Sequence, residues 1–202
     1  MKLRFSPTSP YARKVMVVAH ERGLAGRIEL MTANTSPVEP NKDVARDNPL
    51  AKIPSLILDD GSQLYDSRVI AEYLDALNGP KLFPQSGPAR WNALRQQALA
   101  DGLTDASLLI RYERVLRPED KRWKEWIGGQ FLKLNAALDT FEHEAKSLET
   151  LNIGSIACAC ALGYLDFRFA DEDWRAQRPA LAAFFDKISR RPSLQATKPP
   201  PA

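Results

Sequence analysis

Three short stretches of the chain carry residue types that can do chemistry together. In Ser9-Pro10-Tyr11-Ala12-Arg13, serine is a natural helix cap and proline suits the first helical position. A serine hydroxyl there sits where unpaired backbone N–H groups favour negative charge, and it can donate a hydrogen bond to an anion. In Lys52-Ile53-Pro54, the proline gives up one backbone donor ahead of an apolar run at 55–58. Ile53 then keeps amide and carbonyl groups that can face a ligand. In Asp66-Ser67, an acidic and a hydroxyl residue open a helix whose free N–H groups suit a carboxylate.

The elements that must position these residues are legible in pattern. A strand at 2–5, a helix from Pro10 with Val15, Val18 and Ala19 inward and Gly23 at its end, and a strand at 27–31 make a right-handed parallel unit. The run 55–58, the turn Asp59-Asp60-Gly61 and the return 63–65 read as an antiparallel hairpin. That predicts an α/β N-terminal domain, a four-stranded mixed sheet with helices on its faces, in the thioredoxin-like arrangement. Residues 32–47 read as a loop with a short helix at 42–46, and 67–77 as a helix that Asn78-Gly79-Pro80 breaks. Residues 78–88, rich in Gly, Pro and Ser around Leu82-Phe83, read as a linker.

Past residue 89 the strand signals vanish. Trp91, Leu94, Ala98, Leu103 and Leu108 keep helical spacing, and so do Trp126, Phe131, Leu134, Leu138 and Phe141. Gly128-Gly129 predicts close packing or a bend. Further helices are expected at 155–169 and 180–189, and the proline-rich tail from Lys198 is expected to be loose. The division is 1–77, linker 78–88, and an all-α C-terminal domain over 89–202.

Lys52-Ile53-Pro54 followed by Asp66-Ser67 resembles the glutathione-binding half of the glutathione S-transferase family. Ser9-Pro10-Tyr11-Ala12-Arg13, continued by Lys14-Val15, resembles the Ser-Pro-aromatic-x-Arg pattern of its bacterial, serine-type members. The resemblance implies a cis bond before Pro54, backbone pairing of Ile53 with the cysteinyl part of glutathione, and Asp66 with Ser67 on its γ-glutamyl end. Ser9 would stabilise the thiolate that attacks a small apolar electrophile, and Thr8 is the competitor for that role. Lys42 and Lys52 are candidates for the glycyl carboxylate. Tyr11, Ile110, Tyr112 and the segment 101–111 are candidates for lining the electrophile site. The family's linker aromatic and overall pattern imply a homodimer. A non-catalytic protein that binds glutathione or a partner on the same fold is the other class the residues allow. Redox relatives of this fold carry Cys-Pro-Tyr-Cys where this chain has Ser9-Pro10-Tyr11-Ala12, so disulfide exchange by its own sulfur is excluded there. The family's Ser/Thr-x-x-Asp capping box reads Ser155-Ile156-Ala157-Cys158, with serine kept as cap and the acid gone.

Composition narrows the classes. With 202 residues, 44% hydrophobic, 26% charged and a net charge of +3, the chain reads as an ordinary soluble protein without a basic stripe for nucleic acid. There is no apolar run suited to a membrane span and no leader pattern, so the expected compartment is the cytoplasm. Cys158 and Cys160 lie on different sides of a helix and read as core residues, and no metal site is expected. His20 and His143 have no partner pattern for general-base work, and no hydrolase triad or phosphate loop is visible.

Overall fold

The first strand, β1 (Lys2–Phe5), is one of two inner strands of a four-stranded sheet ordered β2-β1-β3-β4 in a computed structural model that describes residues 1–78 and 82–201. Strand β2 (Glu29–Thr32) runs parallel to it, and β3 (Ser55–Ile57) runs antiparallel, with Arg4 opposite Ser55. Strand β4 (Gln63–Leu64) returns beside β3, with Leu64 opposite Leu56. Helix α1 (Pro10–Glu21) connects β1 to β2, ahead of a 3-10 turn at Ala25–Arg27, and packs on α3 (Ser67–Ala76). Leu3, Val15, Val18, Leu56, Ile70 and Leu74 are fully buried and make the core that these layers share. The second strand thus starts at Glu29, two residues later than patterning indicated, because the 3-10 turn takes up Arg27. The helix break at Gly79 and Pro80 lies outside the described residues.

Two compact units result, Met1–Ser86 with Arg190–Ala202, and Gly87–Ser189. The closing segment belongs to the first because α8 (Pro192–Ala196) packs on α1. Glu21, at the end of α1, accepts from Arg191 at 2.9 and 2.8 Å and from Ser193 Oγ at 2.5 Å. The Arg191 bonds lead in holding the Glu21 carboxyl below the usual carboxylate range, against burial, which pushes it up. A depressed carboxyl stabilises the fold above its unfolded value and loses that contribution as pH falls through the folded one. Glu21→Gln is therefore expected to cost about 1 kcal/mol at pH 7, discounted because the Arg191 side chain is 40% exposed. The difference from the parent protein should fade as pH falls below the free glutamate value of about 4.3 and through the lower folded value. Amide exchange of α8 across pH measures it, and a difference that stays constant with pH would refute the clasp.

The second unit is all helical: α4 (Gly87–Val115), α5 (Lys124–Glu144), α6 (Ile153–Arg168) and α7 (Pro179–Ile188), with 3-10 turns at Glu119–Lys121 and Ala145–Glu149. Helix α6 is buried along almost its whole length, from Ile153 to Leu165, and packs on α4. Cys158 and Cys160 are among its buried residues, and burial pushes the Cys158 thiol well up, which keeps it inert.

Two expectations change here. The cap of α6 is Asn152, not Ser155: Asn152 Oδ1 accepts from Gly154 N at 2.8 Å and Ser155 N at 3.1 Å, while Ser155 Oγ accepts from Asn152 N at 3.0 Å. The reciprocal box is complete, three residues upstream, with serine in the place of the acid. Gly128 and Gly129 are not close-packed, since a Cβ on either would meet nothing within 4 Å. The close approach is at Gly154, where a Cβ would lie 2.7 Å from Gln96 Cβ and 3.0 Å from the Ala93 carbonyl oxygen. Gln96 is fully buried and tied to Ser147 Oγ at 2.8 Å, so it has little freedom to withdraw. Gly154→Ala is expected to destabilise by about 2–3 kcal/mol through overpacking of α4 against α6. Urea unfolding checks this, and a loss below about 0.5 kcal/mol, the scale of an ordinary surface change, would contradict the contact.

Candidate functional site

Sheet register, rather than sequence distance, decides what stands beside Ser9. The antiparallel pairing of β1 with β3 sets the end of β1 next to the start of β3, and the pairing of β3 with β4 sets the end of β4 beside the start of β3, at the same end of the sheet. Chain leaving β1 toward Ser9, chain entering β3 through Ile53-Pro54, and chain leaving β4 toward Asp66-Ser67 therefore meet at one end of the sheet. Helices α1 and α3 both begin there, so two N-termini share that end.

Ser9 caps α1: its Oγ accepts from Ala12 N at 3.3 Å, and Pro10 follows at the first helical position. The oxygen accepts within the helix, so the hydroxyl hydrogen is left to be donated elsewhere. Ser9 is half-buried, with its own N–H bonded to the Ser6 carbonyl at 3.0 Å. Thr8, also half-buried, has its hydroxyl 3.0 Å from Ser6 Oγ.

The Ile53-Pro54 peptide bond is cis. Ile53 is half-buried, and among the described residues its N–H and carbonyl have no protein partner. Pattern reading missed what holds this turn. Asn48, 2% exposed, donates from Nδ2 to the Lys52 carbonyl at 2.9 Å and accepts from Leu50 N at 3.0 Å. Thr35 Oγ1 donates to the Ala51 carbonyl at 2.6 Å, which secures an alanine at φ 51°, a left-handed conformation rare for a residue with a Cβ. Asn48-Pro49 was the available signal, since asparagine before proline marks a turn that its side chain can bond. Below it, Arg4 Nε meets Asp47 Oδ2 at 2.7 Å, which fixes α2 (Lys42–Asp47) to β1.

Asp66 is the cap of α3, with Oδ1 accepting from Arg68 N at 2.9 Å. Its side chain is 59% exposed and its ion pair with Arg68 is long, 3.7 Å, so the carboxylate remains open to a positively charged ligand group. Ser67 beside it is 3% exposed. The peptide bond between Tyr65 and Asp66 is also cis. Lys42 and Lys52 are exposed, as are many lysines, and among the described residues neither is drawn to a partner that would single it out.

The helical unit encloses a separate cavity of about 70 Å³ between residues such as Phe131, Leu134, Trp174 and Arg178. It is well below the ~300 Å³ that drug-sized ligands occupy. Arg178 is already committed to Asp139 at 2.7 Å and Asn135 at 3.1 Å, which makes this a packing gap rather than a receptor. Among the described residues no group of three or more His, Cys, Asp or Glu could hold a metal ion. No helix among them is long and apolar enough to cross a membrane.

Residues 8–77 match the family of the glutathione S-transferase N-terminal domain, and residues 124–187 match that of the C-terminal domain. An uncharacterized GST-like protein, YibF of Escherichia coli (strain K12), is 34% identical over the full length of both chains. A glutathione transferase family member from Pseudomonas fluorescens Pf-5, crystallised with bound glutathione, is 50% identical, with 98% of each chain covered and a TM-score of 0.97. A second structure of a Pseudomonas fluorescens Pf-5 family member, with bound S-(propanoic acid)-glutathione, is 49% identical over 99% of this chain and 100% of that one, at a TM-score of 0.92.

Proposed function

The chain belongs to the glutathione S-transferase family, and from that premise we propose that it is a glutathione transferase using Ser9 to hold the glutathione thiolate for attack on a small electrophile. One observation carries this reading: the Ser9 cap, the Ile53-Pro54 turn and the Asp66-Ser67 cap emerge at the same end of one sheet. The neighbours' complexes with glutathione and with a glutathione thioether support both the co-substrate and the kind of product.

Each element has a role set by its chemistry. The N–H and carbonyl of Ile53, without a partner among the described residues, pair with the cysteinyl backbone of glutathione, as one strand residue pairs with another. The exposed Asp66 carboxylate takes the γ-glutamyl ammonium, and the α3 N-terminus takes its carboxylate. Glutathione's thiol, near the free-cysteine value of about 8.5, is only a few per cent ionised at neutral pH. The α1 N-terminus and the Ser9 hydroxyl lower that value by about one to two units, or roughly 1.4–2.7 kcal/mol. In the reaction a sulfur–carbon bond forms while the leaving group departs with its electron pair, and the thiol proton goes to solvent. A homodimer in the cytoplasm belongs to the same reading.

Turnover of an aryl halide with glutathione tests it. The expected result is saturable conjugation above the uncatalysed rate. Tight glutathione binding with no turnover over a broad panel of electrophiles would leave a binding protein on the same fold.

A further inference from the structure

Among the described residues, Ala51 is the one residue other than glycine at positive φ, and it stands two places ahead of Ile53. A Cβ in that left-handed conformation crowds the following carbonyl oxygen, so such a residue persists only where its surroundings hold it there.

The surroundings do hold it. Ala51 N donates to the Asn48 carbonyl at 2.8 Å, which closes a tight turn, and the Ala51 carbonyl accepts from Thr35 Oγ1 at 2.6 Å. One residue on, the Lys52 carbonyl accepts from Asn48 Nδ2 at 2.9 Å. A peptide unit is planar, and in the trans form its carbonyl and its N–H point in opposite directions. The 51–52 and 52–53 units are both trans. The Thr35 bond therefore orients the first of these planes, and the Asn48 bond orients the second, whose other group is the Ile53 N–H. Two side chains thus aim, one plane after the other, the group that meets the cysteinyl backbone of glutathione.

Thr35 is itself anchored. Ala33 N donates to the Phe5 carbonyl at 2.8 Å, which carries the pairing of β1 with β2 one residue past Thr32. Asn41, the cap of α2, donates from Nδ2 to the Asn34 carbonyl at 3.0 Å. The loop between β2 and α2 is therefore tied down on both sides of this half-buried threonine. Its hydroxyl reaches Ala51 from the sheet, so the turn is held from outside itself.

Resting on the transferase reading above, we propose that Thr35 is a positioning residue for glutathione: by holding the Ala51 carbonyl it keeps residue 51 left-handed and the Ile53 backbone preset for the ligand. Without the hydroxyl, an alanine at 51 spends most of its time in the right-handed and extended conformations open to it. Glutathione then meets a binding-competent turn in a minor fraction of the molecules, and its apparent affinity falls by that fraction.

Calorimetry of glutathione binding to the parent protein, Thr35→Val, Ala51→Gly and the double variant tests this. Thr35→Val is expected to weaken binding about five- to tenfold, the result of a competent fraction of about 0.1–0.2. Thr35→Ser, which keeps the hydroxyl, should stay within about twofold of the parent. Glycine takes the left-handed conformation without a Cβ penalty, so in the Ala51→Gly background the Thr35→Val change should cost less than about threefold. Steady-state rates should place the loss in the KM for glutathione, with kcat within about twofold of the parent, because the bound complex keeps the same geometry at the sulfur. Thr35→Ala gives the same comparison if valine does not fit. A Thr35→Val protein that binds glutathione as tightly as the parent, or a loss equal in the alanine and glycine backgrounds, would overturn the inference and leave the glutathione site standing. Absence of saturable glutathione binding by the parent would overturn the transferase reading and the inference with it.

Discussion

Replacing Ser9 by glycine is expected to raise the bound glutathione thiol toward the free value of about 8.5, with the α1 N-terminus keeping part of the shift, and to slow conjugation at pH 6.5 by up to about tenfold. A thiol whose pKa has been lowered by two units is about a hundredfold more ionised at low pH, yet each thiolate is also a weaker nucleophile. With a Brønsted coefficient of about 0.4–0.5, the two effects leave roughly a tenfold gain. The gain has a pH signature. It is full below both pKa values and disappears above about pH 9, where free and bound thiol are both ionised. Glycine is chosen because Ser9 also caps α1, with its Oγ accepting from Ala12 N at 3.3 Å. Alanine at a cap costs about 0.5–2 kcal/mol, whereas glycine costs a few tenths. Ser9→Ala should therefore match Ser9→Gly in thiolate absorbance but fall below it in stability, which separates the chemical duty of the hydroxyl from its structural one. Thr8→Val completes the set, because the Thr8 hydroxyl is engaged with Ser6 Oγ at 3.0 Å. If Thr8→Val reproduces the loss and Ser9→Gly does not, the sulfur lies against residue 8 and the assignment moves there.

Local signals made the first unit readable. Ser9, Asn41 and Asp66 cap helices through bonds two or three residues ahead, a range that sequence displays directly. Hairpin chemistry at Asp59-Asp60-Gly61 likewise fixed where β3 and β4 must turn, with Gly61 at φ 87°. The cap of α6 was misplaced because serine at 155 satisfied the pattern, although Asn152 offers a carboxamide oxygen to two N–H groups at once. Nothing in Gly128-Gly129 or Gly154 says which one meets another helix, since that depends on the α4 residue brought opposite. The same limit hid the pairs that close the first unit: Glu21 with Arg191 and Arg22 with Asp75. Each joins residues that share no local pattern, and only packing of their helices brings them together.

Asp75→Ala should be the most damaging of the polar substitutions, at about 3–5 kcal/mol, the range for removing one partner of a buried charge pair. Asp75 is 3% exposed on α3. It accepts from Leu82 N at 2.9 Å and Phe83 N at 3.0 Å, and it meets Arg22 Nε at 3.0 Å. Removing it leaves two buried N–H groups and a guanidinium that is 12% exposed without a counter-charge. Arg22 ends α1, and its carbonyl accepts from Asn78 Nδ2 at 3.1 Å beyond the end of α3, so the cluster joins the C-terminal ends of the two helices whose N-terminal ends bear Ser9 and Asp66. Asp75→Asn keeps the volume but sets an NH2 against one backbone N–H, and about half the loss is expected. Urea unfolding with a double-mutant cycle against Arg22→Ala separates the contributions: the pair should show a coupling of about 1–3 kcal/mol. A coupling near zero would show that Asp75 acts only through the two backbone groups. A total loss below about 1 kcal/mol would show that the 82–83 segment holds itself in place without it. In the expected case glutathione affinity falls along with stability, because the caps at residues 9 and 66 keep their spacing only while the far ends of their helices stay joined.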